Sequence, residues 1–137
     1  MSKAEVIEAY ERYLQAFLAD DLAAIDALVQ YPLAYIGDGK VSMLDQWPFR
    51  PSTLRQAKGW HTSIDMAYEV IGLSETKAHV VLKRCTRVRR DGSPIEDAFA
   101  FYAWTRTDDG WKIFAVSDVT APTPGVIDDA EQEARRR

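Results

Sequence analysis

The chain has 137 residues, 47% of them hydrophobic and 11% aromatic, enough to build one compact domain around its own core. A formal net charge of −4 argues against a nucleic-acid-binding surface, and the single cysteine, Cys85, excludes an intrachain disulfide framework and a multi-cysteine metal cluster. The N-terminus is charged and amphipathic, with neither a signal-like apolar core nor a membrane-length apolar run, so cytoplasmic residence without membrane attachment is expected.

In chain order, Ser2 to Ala19 reads as a helix. Ser2 and Glu5 form a capping-box pattern, and Val6, Tyr10, Leu14, Phe17 and Leu18 share one face, with Tyr13 at its border. Asp20 or Asp21 caps a second, shorter helix carrying Leu22, Ile25, Leu28 and Val29. Tyr31-Pro32 ends that helix, because the residue before proline is pushed out of the α region. Pro32 to Ile36 is a short strand, followed by a turn at Gly37-Asp38-Gly39. Trp47 and Phe49 sit among prolines without a clear period, and Ser52 to Lys58 reads as a third short helix.

Strands follow at His61–Ile71, Ala78–Arg89, Asp97–Thr107 and Trp111–Thr120, giving five in all. Asp108-Asp109-Gly110 marks a hairpin between the last two. Two registers are open. A tight Asp109-Gly110 turn sets Phe101 opposite Asp118; one additional loop residue sets Tyr102 opposite Val116 and turns it to the face of Asp118. Pro122 to Gly125 stops the last strand. One domain is expected over residues 1–122, with a charged tail at 123–137. Helices in front and a meander of strands behind give an α+β class.

This order, with three local motifs, resembles the nuclear transport factor 2-like superfamily and in particular its SnoaL-like members. Glu11 to Val29 resembles the long helix, acidic break and short helix of ketosteroid isomerases. Ala78 to Pro94 is similar to a strand and loop of the calmodulin-dependent kinase II association domain. The Asp108–Ile113 and Ser117–Pro122 segments match the ending of many superfamily members. The resemblance implies a cone-shaped, strongly curved antiparallel sheet wrapped around the long helix, an α+β barrel of the cystatin-like kind. It also implies a pocket at the open end and homodimers formed through the sheet. The superfamily hosts isomerases, cyclases, dehydratases and interaction modules, so the fold alone does not select among them.

Tyr13 matches the helix tyrosine that donates to the developing oxyanion in the isomerases; as a residue read by itself, it equally well edges the core. The isomerase general base aligns at Gly37, with Asp38 one residue away and so on the opposite side of an extended chain. The second acidic donor falls near Phe101 or Tyr102, where no acid stands. Steroid-type isomerisation is therefore not expected.

Strand alternation places Arg84 on one face with Val80, Leu82 and Thr86, and His79, Lys83, Cys85 and Arg87 on the other. Arg84 also matches a pocket arginine of the kinase association domain. A buried guanidinium needs a partner, and Asp118 is the natural one, either as a ligand-handling pair or as a salt bridge in the pocket floor. His61 reads as a rim histidine or a proton carrier. Trp47 and Phe49 read as a lid or as a contact for a partner chain.

The expected function is binding of a small, partly apolar carbonyl or hydroxyl compound. If the chain is an enzyme, it performs cofactor-free proton-transfer chemistry as an isomerase, cyclase or dehydratase. Asp118, Tyr13 and Arg84 are the candidate catalytic groups, and Tyr102, Phe17, Trp47, Trp60 and Trp104 the candidate ligand contacts. No metal site or cofactor is expected. The alternative is a non-catalytic binding or dimerisation module.

Overall fold

A computed structural model describes residues 3–122. Helix α1 (Lys3–Leu18) turns Val6, Ala9, Tyr10, Tyr13 and Ala16 inward, the three- and four-residue spacing of one helical face. Ser2, and with it the capping-box reading, lies outside the described residues, as does the tail from 123. Asp20 ends α1 with φ of 58°, a left-handed conformation that aspartate tolerates better than most residues. Asp21 then caps α2 (Leu22–Asp26) by accepting from the Ala24 amide at 3.1 Å.

Strand β1 (Val29–Ile36) starts before Tyr31-Pro32, so the proline sits inside a strand instead of ending a helix. β1 turns through Gly37–Lys40, where the Gly37 amide donates to the Lys40 carbonyl at 2.8 Å, into β2 (Val41–Leu44). This strand was not expected. It is four residues long at a sheet edge, with Val41 and Met43 in solvent, too short and too exposed to show a burial period. α3 (Pro51–Lys58) opens on a proline and closes at Gly59, whose φ of 71° supplies the left-handed cap.

β3 (Thr62–Leu73), β4 (Lys77–Val88), β5 (Pro94–Thr107) and β6 (Gly110–Pro122) complete a six-stranded sheet in the order β2-β1-β6-β5-β4-β3. All neighbours run antiparallel except β1 and β6. Register shifts interrupt four of the five ladders, and such bulges bend a sheet and increase its twist. The concave face closes on α1, and Val80, Trp104, Ile113 and Val116 meet Val6 and Tyr10 in the core. Among the described residues no helix is long and apolar enough to cross a membrane.

Two of these bulges decide which side chains face inward. In the β5–β6 hairpin Thr107 pairs with Gly110, leaving Asp108-Asp109 as a two-residue turn. Thr107 Oγ1 accepts from the Asp109 amide at 3.1 Å and donates to the Gly110 carbonyl at 2.8 Å. An extra residue, Phe114, then enters β6 between the Trp104–Ile113 and Ala103–Ala115 pairs. Beyond it Tyr102 faces Val116 and Ala100 faces Asp118, so Tyr102 and Asp118 share the concave face. In β4 the pairing with β5 slips by one residue between Leu82 and Thr86. Both Lys83 and Arg84 are exposed as a result, and Cys85 takes the inward place that simple alternation assigns to Arg84.

Candidate functional site

The inner face of α1 and the concave faces of β3 to β6 leave a cavity of about 50 Å³. Leu14, Phe17 and Leu18 come from α1, Met66 from β3, Leu82 from β4, and Phe49 from the segment before α3. The polar residues lining the same cavity are Tyr13, Tyr102, Ser63, Cys85, Arg87 and Asp118. The volume admits a few heavy atoms and lies well below the several hundred Å³ usual for drug-sized ligands.

Tyr13 and Tyr102 form the inner end. Their hydroxyl oxygens are 3.3 Å apart, and both side chains are buried. Tyr10 packs on both rings, at centroid distances of 5.7 and 5.2 Å, which fixes their orientation. Burial, followed by the nearness of Tyr102, drives the Tyr13 phenol well above its ordinary value of 10. Burial also pushes Tyr102 up to about 12. Both therefore stay protonated at neutral pH and remain donors.

Asp118 is half-buried on β6. Its Oδ1 accepts from the Tyr35 hydroxyl at 2.6 Å, and this bond, with burial second, lifts Tyr35 to about 12. Phe49 stacks edge-on against the Tyr35 ring at 5.7 Å. Asp118 Oδ2 has no hydrogen-bond partner among the described residues.

The other end holds a charged cluster. Glu96 is 7% exposed, accepts from Lys58 Nζ at 2.7 and 3.0 Å, and accepts from Arg87 Nη1 directly across the β4–β5 ladder. Burial raises the Glu96 carboxyl, but the bonds from Lys58 and Arg87 outweigh it and hold the group below its ordinary range. Between the two ends, burial pushes the Cys85 thiol up, against the opposing pull of Ser63 and Arg87, so it is not an activated thiolate.

The structure thus gathers Tyr13, Tyr102, Asp118 and Phe17 at one cavity and removes the other candidates from it. Arg84 is 66% exposed on the outside of β4, 3.9 Å from Asp65 of β3. The Arg84–Asp118 pair does not form, because the bulge turns Arg84 away from the pocket. Trp47, Trp60 and Trp104 are buried behind the wall and do not line it. Trp47 packs edge-on against Tyr13 at 5.4 Å, Trp60 against Phe17 at 5.5 Å, and Trp104 against Tyr10 at 6.4 Å. His61 is exposed, as is Asp38 in the β1–β2 turn. Tyr35, Cys85, Arg87 and Glu96 were missed. Glu96 carried a legible signal: it stands two residues before Ala98, Ala100 and Tyr102 in an alternating series, an acid on an otherwise inward face.

A curved sheet closed over one long helix, with a polar-ended cavity at its centre, defines a cystatin-like, nuclear transport factor 2-like protein. The chain belongs to the family described as NTF2-like protein (DUF6841), whose model matches residues 4–121. Solved structures agree on the fold. A cystatin-like fold protein from Burkholderia xenovorans LB400 aligns with a TM-score of 0.62 at 21% identity, covering 88% of this chain and 92% of that one. An NTF2-like protein of unknown function in nutrient uptake from Rhodospirillum rubrum aligns with a TM-score of 0.59 at 22% identity, covering 86% and 98%. A proposed ketosteroid isomerase from Shewanella frigidimarina aligns with a TM-score of 0.58 at 10% identity, covering 85% and 96%. No curated protein matches the chain.

Proposed function

We propose that the cavity binds a small, partly apolar compound through its carbonyl group and moves a proton on it without a cofactor. The observation that carries this reading is the pair of buried hydroxyls at 3.3 Å, Tyr13 and Tyr102, on the same concave surface as a carboxylate with an unoccupied oxygen. A carbonyl oxygen seated at the tyrosine pair accepts from both phenols. Asp118 Oδ2 takes the proton from the adjacent carbon, and the electron pair passes into an enolate whose oxygen the phenols stabilise. Asp118 then returns the proton to the same or a conjugated carbon. Tyr35 holds the carboxylate in place, and Phe17 and Phe49 keep water from the enolate.

The test is hydrogen exchange. Incubated in D2O with the protein, cyclopentanone should exchange its α-hydrogens faster than in buffer, as followed by NMR. Asp118→Asn should slow that exchange by roughly 100-fold or more. Exchange no faster than in buffer, or unchanged by the substitution, overturns the catalytic part of the reading.

The second reading is a binding module that assembles as a homodimer, and one observation favours it. A cross-strand row on the convex face runs Val41, Ile36, Ser117, Phe101, Val81 over five strands. Phe99 and Val119 pair beside it, 37% and 63% exposed. An apolar surface of this extent suits a second copy.

A further inference from the structure

Arg87, at the charged end of the cavity, belongs to a cluster of two cations and one carboxylate. Lys58 is in partial contact with water, which solvates the charge that Glu96 leaves uncompensated. Arg87 has much less contact with water: its side chain is 13% exposed, and Glu96 engages Nη1 alone. Nε and Nη2 have no hydrogen-bond partner among the described residues, yet neither is a fully enclosed atom. A guanidinium so little exposed, on a residue that lines the cavity, has Glu96 as its one hydrogen-bond acceptor among the described residues.

That edge presents two N–H donors in one plane, the geometry that matches the two oxygens of a carboxylate. A dianionic phosphate fits less well, since the adjacent Glu96 carboxylate repels its second charge. Along the inward side of β5 the residues run Glu96, Ala98, Ala100, Tyr102. Arg87, opposite Glu96, is therefore at one end of the cavity, the tyrosine pair is at the other, and Asp118, opposite Ala100, lies between them. A ligand that satisfies both ends has a carboxylate and a carbonyl joined by a short apolar chain.

We propose that Arg87 recognises a carboxylate on the ligand and that the ligand class is a short oxo acid; this rests on the carbonyl-binding reading above. Arg87 makes the specificity-determining contact, and Glu96 and Lys58 hold its guanidinium in place.

Calorimetry with 4-oxopentanoate, 5-oxohexanoate and their methyl esters tests the assignment. At least one acid should bind tenfold or more tightly than its ester. Arg87→Met should reduce acid affinity to the level of the ester while ester affinity changes less than threefold. Arg84→Gln, on the outer surface, should leave the preference intact. Arg87→Lys keeps the charge without the planar fork and should retain only part of it, which decides the matter should the methionine variant fail to fold by circular dichroism. Equal binding of acid and ester by the unmodified protein overturns carboxylate recognition and leaves carbonyl binding standing. Failure of every acid and ester to bind removes both readings together.

Discussion

At Tyr13 and Tyr102 the burial that builds the core also keeps both phenols protonated, as the proposed chemistry requires. Each phenol has exchanged water for a neighbouring hydroxyl, and the cost of ionising there exceeds that in solvent. The stability linkage follows from the direction of that shift. Below pH 10 the phenols are protonated in both folded and unfolded chains, and their contribution is complete. Above it the unfolded chain releases protons that the fold retains, so stability falls until the folded groups ionise, for Tyr102 at about 12. Glu96 acts on the acid side with the opposite sign: its contribution is present above the ordinary value of 4.5 and is lost as the pH drops through its lower folded value. Urea unfolding followed across pH should show both flanks. Phenylalanine at 13 and 102 should make the alkaline flank shallower, and Glu96→Gln should do the same to the acid flank. Removing the shared partner of Arg87 and Lys58 should also cost about 2 kcal/mol near neutral pH. Flanks unaltered in these variants contradict the assignment.

At the scale of the element, a bulge separates what was legible in the sequence from what was not. Alternation along β4 correctly turns Val80 and Leu82 inward and then fails, because one extra residue before Thr86 shifts the phase. Arg84 passes to the outside, and Cys85 and Arg87 pass to the cavity. No side chain in Lys83-Arg84-Cys85 announces the extra residue; the slip is a property of two strands pairing, not of one strand. The β5–β6 hairpin shows the same limit in milder form. Asp108-Asp109-Gly110 located the turn, and the register with Tyr102 on the Asp118 face was one of two open readings. The bulge at Phe114 selects it. The helices were easier, since the periodicity of α1 depends on the chain alone and Tyr10 and Tyr13 occupy the buried side that it implies. The tryptophans mark a different limit: size and aromaticity predict burial, but not whether a ring forms the wall of a cavity or backs it. All three candidates, Trp47, Trp60 and Trp104, proved to be backing.

For the whole molecule, the curved sheet gives two surfaces of different character. The concave one closes on α1 and keeps a small polar-ended cavity. The convex one exposes Val41, Ile36, Phe99 and Val119, with Phe101 and Val81 half-buried beside them. Light scattering should give twice the chain mass of 15.5 kDa, and a lysine at both Phe99 and Val119 should return it to the single-chain value. A single-chain mass for the unmodified protein contradicts the homodimer. The cavity itself is tested most directly by the carbonyl carbon of a ligand. The bound carbonyl resonance of 13C-labelled cyclopentanone should move downfield by hydrogen bonding, with the displacement reduced in Tyr102→Phe and in Tyr13→Phe. A bound resonance at the position found in an apolar solvent, unchanged by either substitution, would contradict carbonyl binding at the tyrosine pair.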